Sequence, residues 1–341
     1  MMATLAKMRY RASAWYATPA AVVLAVLLIG NLIADASFLT PSNWPATFAT
    51  LGPYVLVAMA VAPAVLSGGA GVDLSVGPLA GFVSAVVVAK LQPNGLGDVW
   101  LALPIALGVG AGVGLVNGGL IAYLRLPPIV ATLGAYLVLS GWTLKVLPSA
   151  GGTAPDWLSQ LSGGAGPIPG IWLLFAGVAI GWTLLRRSAY GRNLLAVGGD
   201  ERAAFTAGVD VARVRMLAYV VAGTIAAVAG LAFVANLQSA DPNVGPPFTL
   251  IALAGAALGG ISLAGGRGGL LGAAMGGTTL FLVQHLLDAI GVSVFGTQIA
   301  YGCVLILALA ANSLSDRRRR RRGIHTDPAP VAGVDGAAQP A

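Results

Sequence analysis

Between residues 100 and 124 the chain carries no charged side chain, and runs of this kind recur along its whole length. A helix needs roughly 20 apolar residues to cross the hydrocarbon core of a bilayer. Runs meeting or approaching that length cover 44–66, 76–91, 100–124, 128–147, 170–185, 214–237, 248–263, 268–287 and 294–314, with a first one ending at Ala34. They are continuous rather than alternating, which excludes a β-barrel. Only 9% of residues are charged, against about a quarter in soluble domains, so the chain cannot cover a water-facing surface. The expected fold is all-α: a polytopic membrane protein of about ten transmembrane helices.

One internal stretch departs from this pattern. Residues 186–215 hold arginines 186, 187, 192, 202, 213 and 215 with Asp200, Glu201 and Asp210. Basic residues concentrate in cytoplasmic loops, so this loop orients the chain. With ten spans and both termini cytoplasmic, only Lys90 and Lys145 of the 19 basic residues fall outside, at span ends where they can snorkel. The loop carries a small helix signal: Asp200 can cap it, Glu201 suits its positive end, and Gly208 can close it in a left-handed turn. So short a helix is marginal alone and needs something to pack against. From charge alone the stretch reads as an ordinary basic loop.

The resulting division is a cytoplasmic tail over 1–14, a transmembrane domain over 15–314 with its cytoplasmic loop at 186–213, and a basic, disordered tail over 315–341. Lys7, Arg9 and Arg11 precede Trp15 and Tyr16 at the interface. Ala34-Asp35-Ala36 mimics a signal-peptidase site, but the apolar run before it is long for a signal peptide, and retention is favoured. The tract Arg317 to Arg322 follows a span directly, so anchoring at an anionic leaflet is preferred to nucleic-acid binding.

Two glycine-rich segments, 67–77 and 258–269, interrupt apolar sequence and predict breaks in the helices. Irregular backbone at membrane depth is tolerated only when buried in protein or lining a wet cavity. Gly110, Gly114 and Gly118, and again Gly268, Gly272 and Gly276, fall at spacing four and predict close helix contacts. Asp73 reads first as a cap beside the glycine turn. Ser75, Asn117, Thr132, Asn236 and Gln284 are neutral polar groups suited to an uncharged polar solute, or to hydrogen bonds between helices. Together with Asp73 they are the candidate translocation-path residues.

Catalytic and metal-binding patterns are missing. Lysine occurs only at 7, 90 and 145, and none follows a phosphate-binding glycine loop. His285 and His325 are the only histidines and Cys303 the only cysteine. The reading is a transport protein with no catalytic residue, metal or cofactor of its own.

At these residues the chain resembles the permease subunit of ribose/xylose/galactose-type bacterial ABC importers. GAGVDLSVG (69–77), NGGLIAYLRLPPIVATLG (117–134), YGRNLLAVGGDERAAFTAGVD (190–210), PNVG (242–245) and LGGISLAGGRGGLLG (258–272) are similar to family segments, in the same order. Ala70 stands where the family signature has a glycine. Thr249 and Ile251 replace a common Glu and Asp, and His285 to Asp288 replace an Asn-Gly pair. The resemblance implies a permease pairing with a second copy or a paralogue, a cytoplasmic ABC ATPase and an extracytoplasmic solute-binding protein. It implies that Gly199, Asp200, Glu201, Arg202, Ala203, Ala204, Phe205 and Gly208 form the coupling segment in the ATPase groove. The solute implied is a monosaccharide or similar polyol. A stand-alone secondary carrier or channel is the alternative.

Overall fold

The predicted apolar runs all become helices, and their ends follow the glycines and prolines. The structure, a computed structural model, describes residues 18–35, 37–38, 40–163 and 170–323. The tail over 1–14, Trp15, Tyr16, the Ala36 cleavage point and the chain beyond 323 lie outside the described residues. In order, the helices are α1 (Thr18–Ala34), α2 (Trp44–Leu66), α3 (Val76–Val86), α4 (Val99–Ala122), α5 (Pro128–Val146), α6 (Asp156–Gly163), α7 (Trp172–Arg187), α8 (Ala189–Gly199), α9 (Glu201–Thr206), α10 (Val211–Leu237), α11 (Gly245–Leu258), α12 (Leu270–Ala289) and α13 (Val294–Gly323). A π-helical turn, Val87–Leu91, extends α3. Among the described residues six helices are long and apolar enough to cross a membrane, and Ala20–Ala34, Gly245–Leu258 and Val294–Ala308 are shorter apolar helices. The architecture is that of an all-α polytopic membrane protein.

Helices α2 and α10 form the middle of the bundle. Nearly all of α2 is buried, whereas α4 and α5 leave most of their apolar surface open. Helix α10 packs on α2, α3 and α4, and α12 packs on α1, α2 and α11. The first predicted glycine ridge is real. Gly110, Gly114 and Gly118 lie against the backbone of α10 at Gly223, Tyr219 and Met216; a Cβ on Gly118 would stand 2.6 Å from the Met216 carbonyl oxygen. Small residues here let two backbones touch, which supplies the dispersion contacts that hold helices together in lipid.

The second ridge is shorter than predicted. Helix α12 begins at Leu270, so Gly268 sits in the preceding turn with φ +120°, against Ile261. Gly276 meets Gly255 and Gly272 meets Gly259, joining α12 to α11. Helix α11 stops at Leu258, before the expected 263, because the glycine segment takes over. At the far end α13 continues through the arginine tract to Gly323. Arginine is a good helix former and its charge suits a helix C-terminus.

Two helices come from segments read as loops. Helix α6 lies in the stretch after α5, where Trp157 Nε1 donates to the Gly97 carbonyl at 2.9 Å. The chain around it is tied to the end of α10: Gly151 N donates to Ala240 O at 2.9 Å, and Ala240 N to Gly151 O at 3.1 Å. Helix α8 fills the first half of the arginine-rich loop.

Candidate functional site

Local sequence builds the arginine-rich loop into two short helices. Helix α8 starts after Ser188, whose Oγ accepts from Gly191 N at 3.5 Å. It buries Leu194 and Val197 against the bundle. Asp200 is extended, with φ −154°, and separates the two helices. Its Oδ1 accepts from Ala203 N at 3.0 Å, the N-cap expected from sequence. Gly208, at φ +82°, turns the chain out of α9. Within α9 only Ala204 is buried; Glu201, Arg202, Ala203 and Phe205 are exposed, Phe205 at 71%. A six-residue helix of this kind is unstable alone. It leans on α8 and is pinned by Glu201 Oε2, which accepts from Arg215 Nη2 of α10 at 2.8 Å. The Arg215 guanidinium also lies against Gly69, in the first glycine segment.

The two glycine segments meet each other at the end of α8. Gly266 N donates to the Leu66 carbonyl at 3.1 Å, joining the second segment to the last residue of α2. Gly198 is inserted at this contact. A Cβ on Gly198 would collide with the Leu66 carbonyl oxygen and stand 2.5 Å from Gly266 N. Gly68, at φ +77°, faces Gly198, and Gly265 faces Gly68. At this contact Gly68 and Gly265 are buried, while Gly69, Ala70, Ala264 and Arg267 of the two segments are exposed. A groove of about 1060 Å³ opens beside them, between α9, the start of α10 and the Arg125–Pro128 turn.

Behind the first break lies a cluster of buried polar groups. Asp73 Oδ1 accepts from Ser75 N at 2.9 Å and from Ser75 Oγ at 2.6 Å. The Ser75 hydroxyl in turn accepts from Asn117 Nδ2 of α4 at 2.9 Å. Thr132 Oγ1 of α5 is bonded to Pro128 O at 2.8 Å and reaches Val72 O at 3.4 Å. Thr249 Oγ1 of α11 donates to Leu74 O at 3.3 Å. All five side chains are buried. Asp73 thus closes a local turn on Ser75 just before α3, and the helix itself has no side-chain cap, unlike the cap read from sequence. The surrounding helices satisfy the irregular backbone, which would otherwise be costly in hydrocarbon. Asn117 Oδ1 and the Tyr219 hydroxyl are left without a hydrogen-bond partner among the described residues. Tyr219 lies within electrostatic reach of Asp73 and Arg215.

Four of the candidate path residues, Asp73, Ser75, Asn117 and Thr132, come together here; Asn236 and Gln284 do not. Asn236 Oδ1 accepts from Thr50 Oγ1 at 3.2 Å, at the opposite end of α10. Gln284 Nε2 donates to Asp288 at 2.8 and 2.9 Å, and its Oε1 accepts from the Tyr301 hydroxyl at 2.7 Å. Beside it His285 Nδ1 and Asn31 Oδ1 are 2.9 Å apart, fastening α1 to α12. Sequence reasoning missed Tyr219 and Thr249 as cluster members and Arg215 as the partner of Glu201. A tyrosine two turns into an apolar span was a usable signal for the first; nothing in one sequence pairs residues 201 and 215. Among the described residues there is no group of three or more His, Cys, Asp or Glu able to hold a metal.

Comparison with known proteins covers nearly all of this architecture. The family described as branched-chain amino acid transport system / permease component matches residues 43–309, from the start of α2 into α13. The ribose import permease of Bacillus subtilis (strain 168) is 33% identical over 302 residues, covering 87% of this chain and 91% of the relative. The D-allose transport system permease of Escherichia coli (strain K12) is 30% identical over 303 residues, covering 88% and 91%. The galactose/methyl galactoside import permease of Salmonella typhimurium (strain LT2) is 30% identical over 319 residues, covering 88% and 94%. No solved structure matches the chain. By these matches the chain belongs to the ribose/galactose-type permease family of ABC transporters.

Proposed function

We propose that this permease carries a monosaccharide or similar small polyol inward across the membrane, driven by ATP that a partner ATPase hydrolyses at the arginine-rich end. The observation that carries the reading is the α8–α9 pair. Helix α9 offers Phe205 and Arg202 outward, while Gly198, three residues before it, is lodged where both glycine segments meet. A partner gripping α9 would therefore move the bundle at its irregular joints. Residues 199–205 with Gly208 are the coupling segment in this reading. Asp73, Ser75, Asn117 and Thr132 line the inner part of the path, and Asn236 and Gln284 belong to its outer part.

The printed names of the relatives, for ribose import, D-allose transport and galactose/methyl galactoside import, support a sugar. The chain's own chemistry supports a neutral one, because the side chains around Asp73 are the hydroxyls of Ser75, Thr132 and Thr249 and the Asn117 amide. Both termini and the loop lie on the cytoplasmic side. The transmembrane domain ends near 314 and pairs with a second permease, and a solute-binding protein delivers from the opposite side.

The test is Ala204→Pro. Proline removes the Ala204 N–H that donates to Asp200 O at 3.0 Å and breaks α9. Membrane abundance should stay within about twofold, while uptake and solute-stimulated ATPase activity fall to background. Unchanged uptake refutes the coupling role. Uptake by the chain alone in liposomes without ATP would favour a stand-alone carrier.

A further inference from the structure

Helix α7 stands off from the bundle and leaves a long groove on one side. About 890 Å³ lies between α7, α1, α2 and α12. Along α7 its wall is Trp172, Phe175, Ala179, Trp182 and Arg186, one helical face spaced by three or four residues. From Trp172 to Arg186 the helix rises about 21 Å, longer than the ~15 Å depth of one leaflet's hydrocarbon. Met59 of α2 and Leu271 and Met275 of α12 close the far side. Apart from Thr183 and Thr278 the groove is apolar up to its arginine end. There Arg186 and Arg187, the last two residues of α7, border it, and both are exposed. Neither has an acidic partner among the described residues.

We propose that this groove holds one acyl chain of an anionic phospholipid, with the lipid phosphate seated on Arg186 and Arg187. An apolar slot facing hydrocarbon is filled by hydrocarbon, so a lipid tail is the default occupant. The paired guanidinium groups give the selection, since arginine binds phosphate oxygens through forked, charge-assisted hydrogen bonds. Basic positions between helices at the leaflet surface attract anionic headgroups by about 1 kcal/mol each. The other side of α7 supplies an internal contrast. Its groove, about 450 Å³ against α4 and α10, is lined by apolar residues and Thr224 with no charge, and takes any tail. The proposal does not rest on the direction of transport or the identity of the solute.

The experiment measures phospholipid retained by the detergent-purified chain after reconstitution in nanodiscs containing phosphatidylcholine alone or mixed with phosphatidylglycerol. The natural chain should retain phosphatidylglycerol in preference to phosphatidylcholine. Arg186→Gln with Arg187→Gln should weaken that retention roughly thirtyfold, the two headgroup contributions together. Ala179→Trp fills the slot without touching charge and should produce a similar loss. Equal retention of the two lipids, or retention unaffected by both variants, overturns the proposal. So does a disulfide between cysteines placed at Leu271 in two copies, which would show that a second permease covers the groove.

Discussion

Ala70 occupies backbone that L-residues avoid. It has φ +55° in the middle of the first break, where the resembling family signature carries glycine. The left-handed region costs a residue with a Cβ about 1–2 kcal/mol. The side chain is exposed, so the cost is conformational rather than a clash. Gly69 and Gly68 beside it, at φ +63° and +77°, meet the same requirement with no penalty. Ala70→Gly should therefore raise the stability of the purified protein by roughly 0.5–1 kcal/mol, the relieved strain less the entropy glycine loses on folding. Thermal unfolding in detergent measures it; an unchanged or lower midpoint would show that Ala70 is not strained.

At the scale of elements, the pair between Glu201 and Arg215 joins α9 to α10. The carboxylate is half exposed and the guanidinium 16% exposed, so the ion pair contributes at most about 1 kcal/mol to stability. Its weight lies in geometry: it fixes the direction in which α9 points. Glu201→Arg or Arg215→Glu alone should lower uptake at least tenfold while leaving abundance within twofold. The double exchange should recover a substantial part of the uptake. Equal loss in the double variant would assign Arg215 its contact with Gly69 as the sole role.

The elements were legible in unequal degree. Helices α2, α4, α5 and α10 could be read within a few residues because a bilayer leaves an apolar run no other backbone solution. Helix α9 was legible from Asp200 and Gly208. Helices α6 and α8 were not, since each is short, amphipathic and stabilised by contacts distant in sequence, Trp157 to Gly97 and Gly198 to Leu66. In the polar cluster the participants Asp73, Ser75, Asn117 and Thr132 were visible as polar residues in apolar surroundings. Their separation from Asn236 and Gln284 was not, because polarity carries no information about which end of a helix faces which neighbour.

For the whole molecule, one orientation in the membrane accounts for the distribution of charge. The loop with α8 and α9, the Arg125 turn and Arg267 gather at one end, and the Gly151–Ala240 contact and Asp35 mark the other. The Asp35 carboxyl is held below its usual range by hydrogen bonds from Ser37, chiefly from its hydroxyl at 2.7 Å, so it stays charged at that surface. A cysteine at Arg213 should react with a membrane-impermeant maleimide only after the cytoplasmic face is opened, and one at Ser239 in intact cells. The native Cys303 lies in an apolar helix and should stay unlabelled in both conditions. Labelling of position 213 from outside would reverse the assigned topology.

The lodging of Gly198 has a mechanical corollary. Two hairpin turns from different halves of the polypeptide share a single fulcrum, and the lever that bears on it is one stretch of backbone with no side chain to act as a cushion. Whatever displaces that lever reaches both hairpins in the same stroke, so the two move as one leaf rather than as independently hinged shutters.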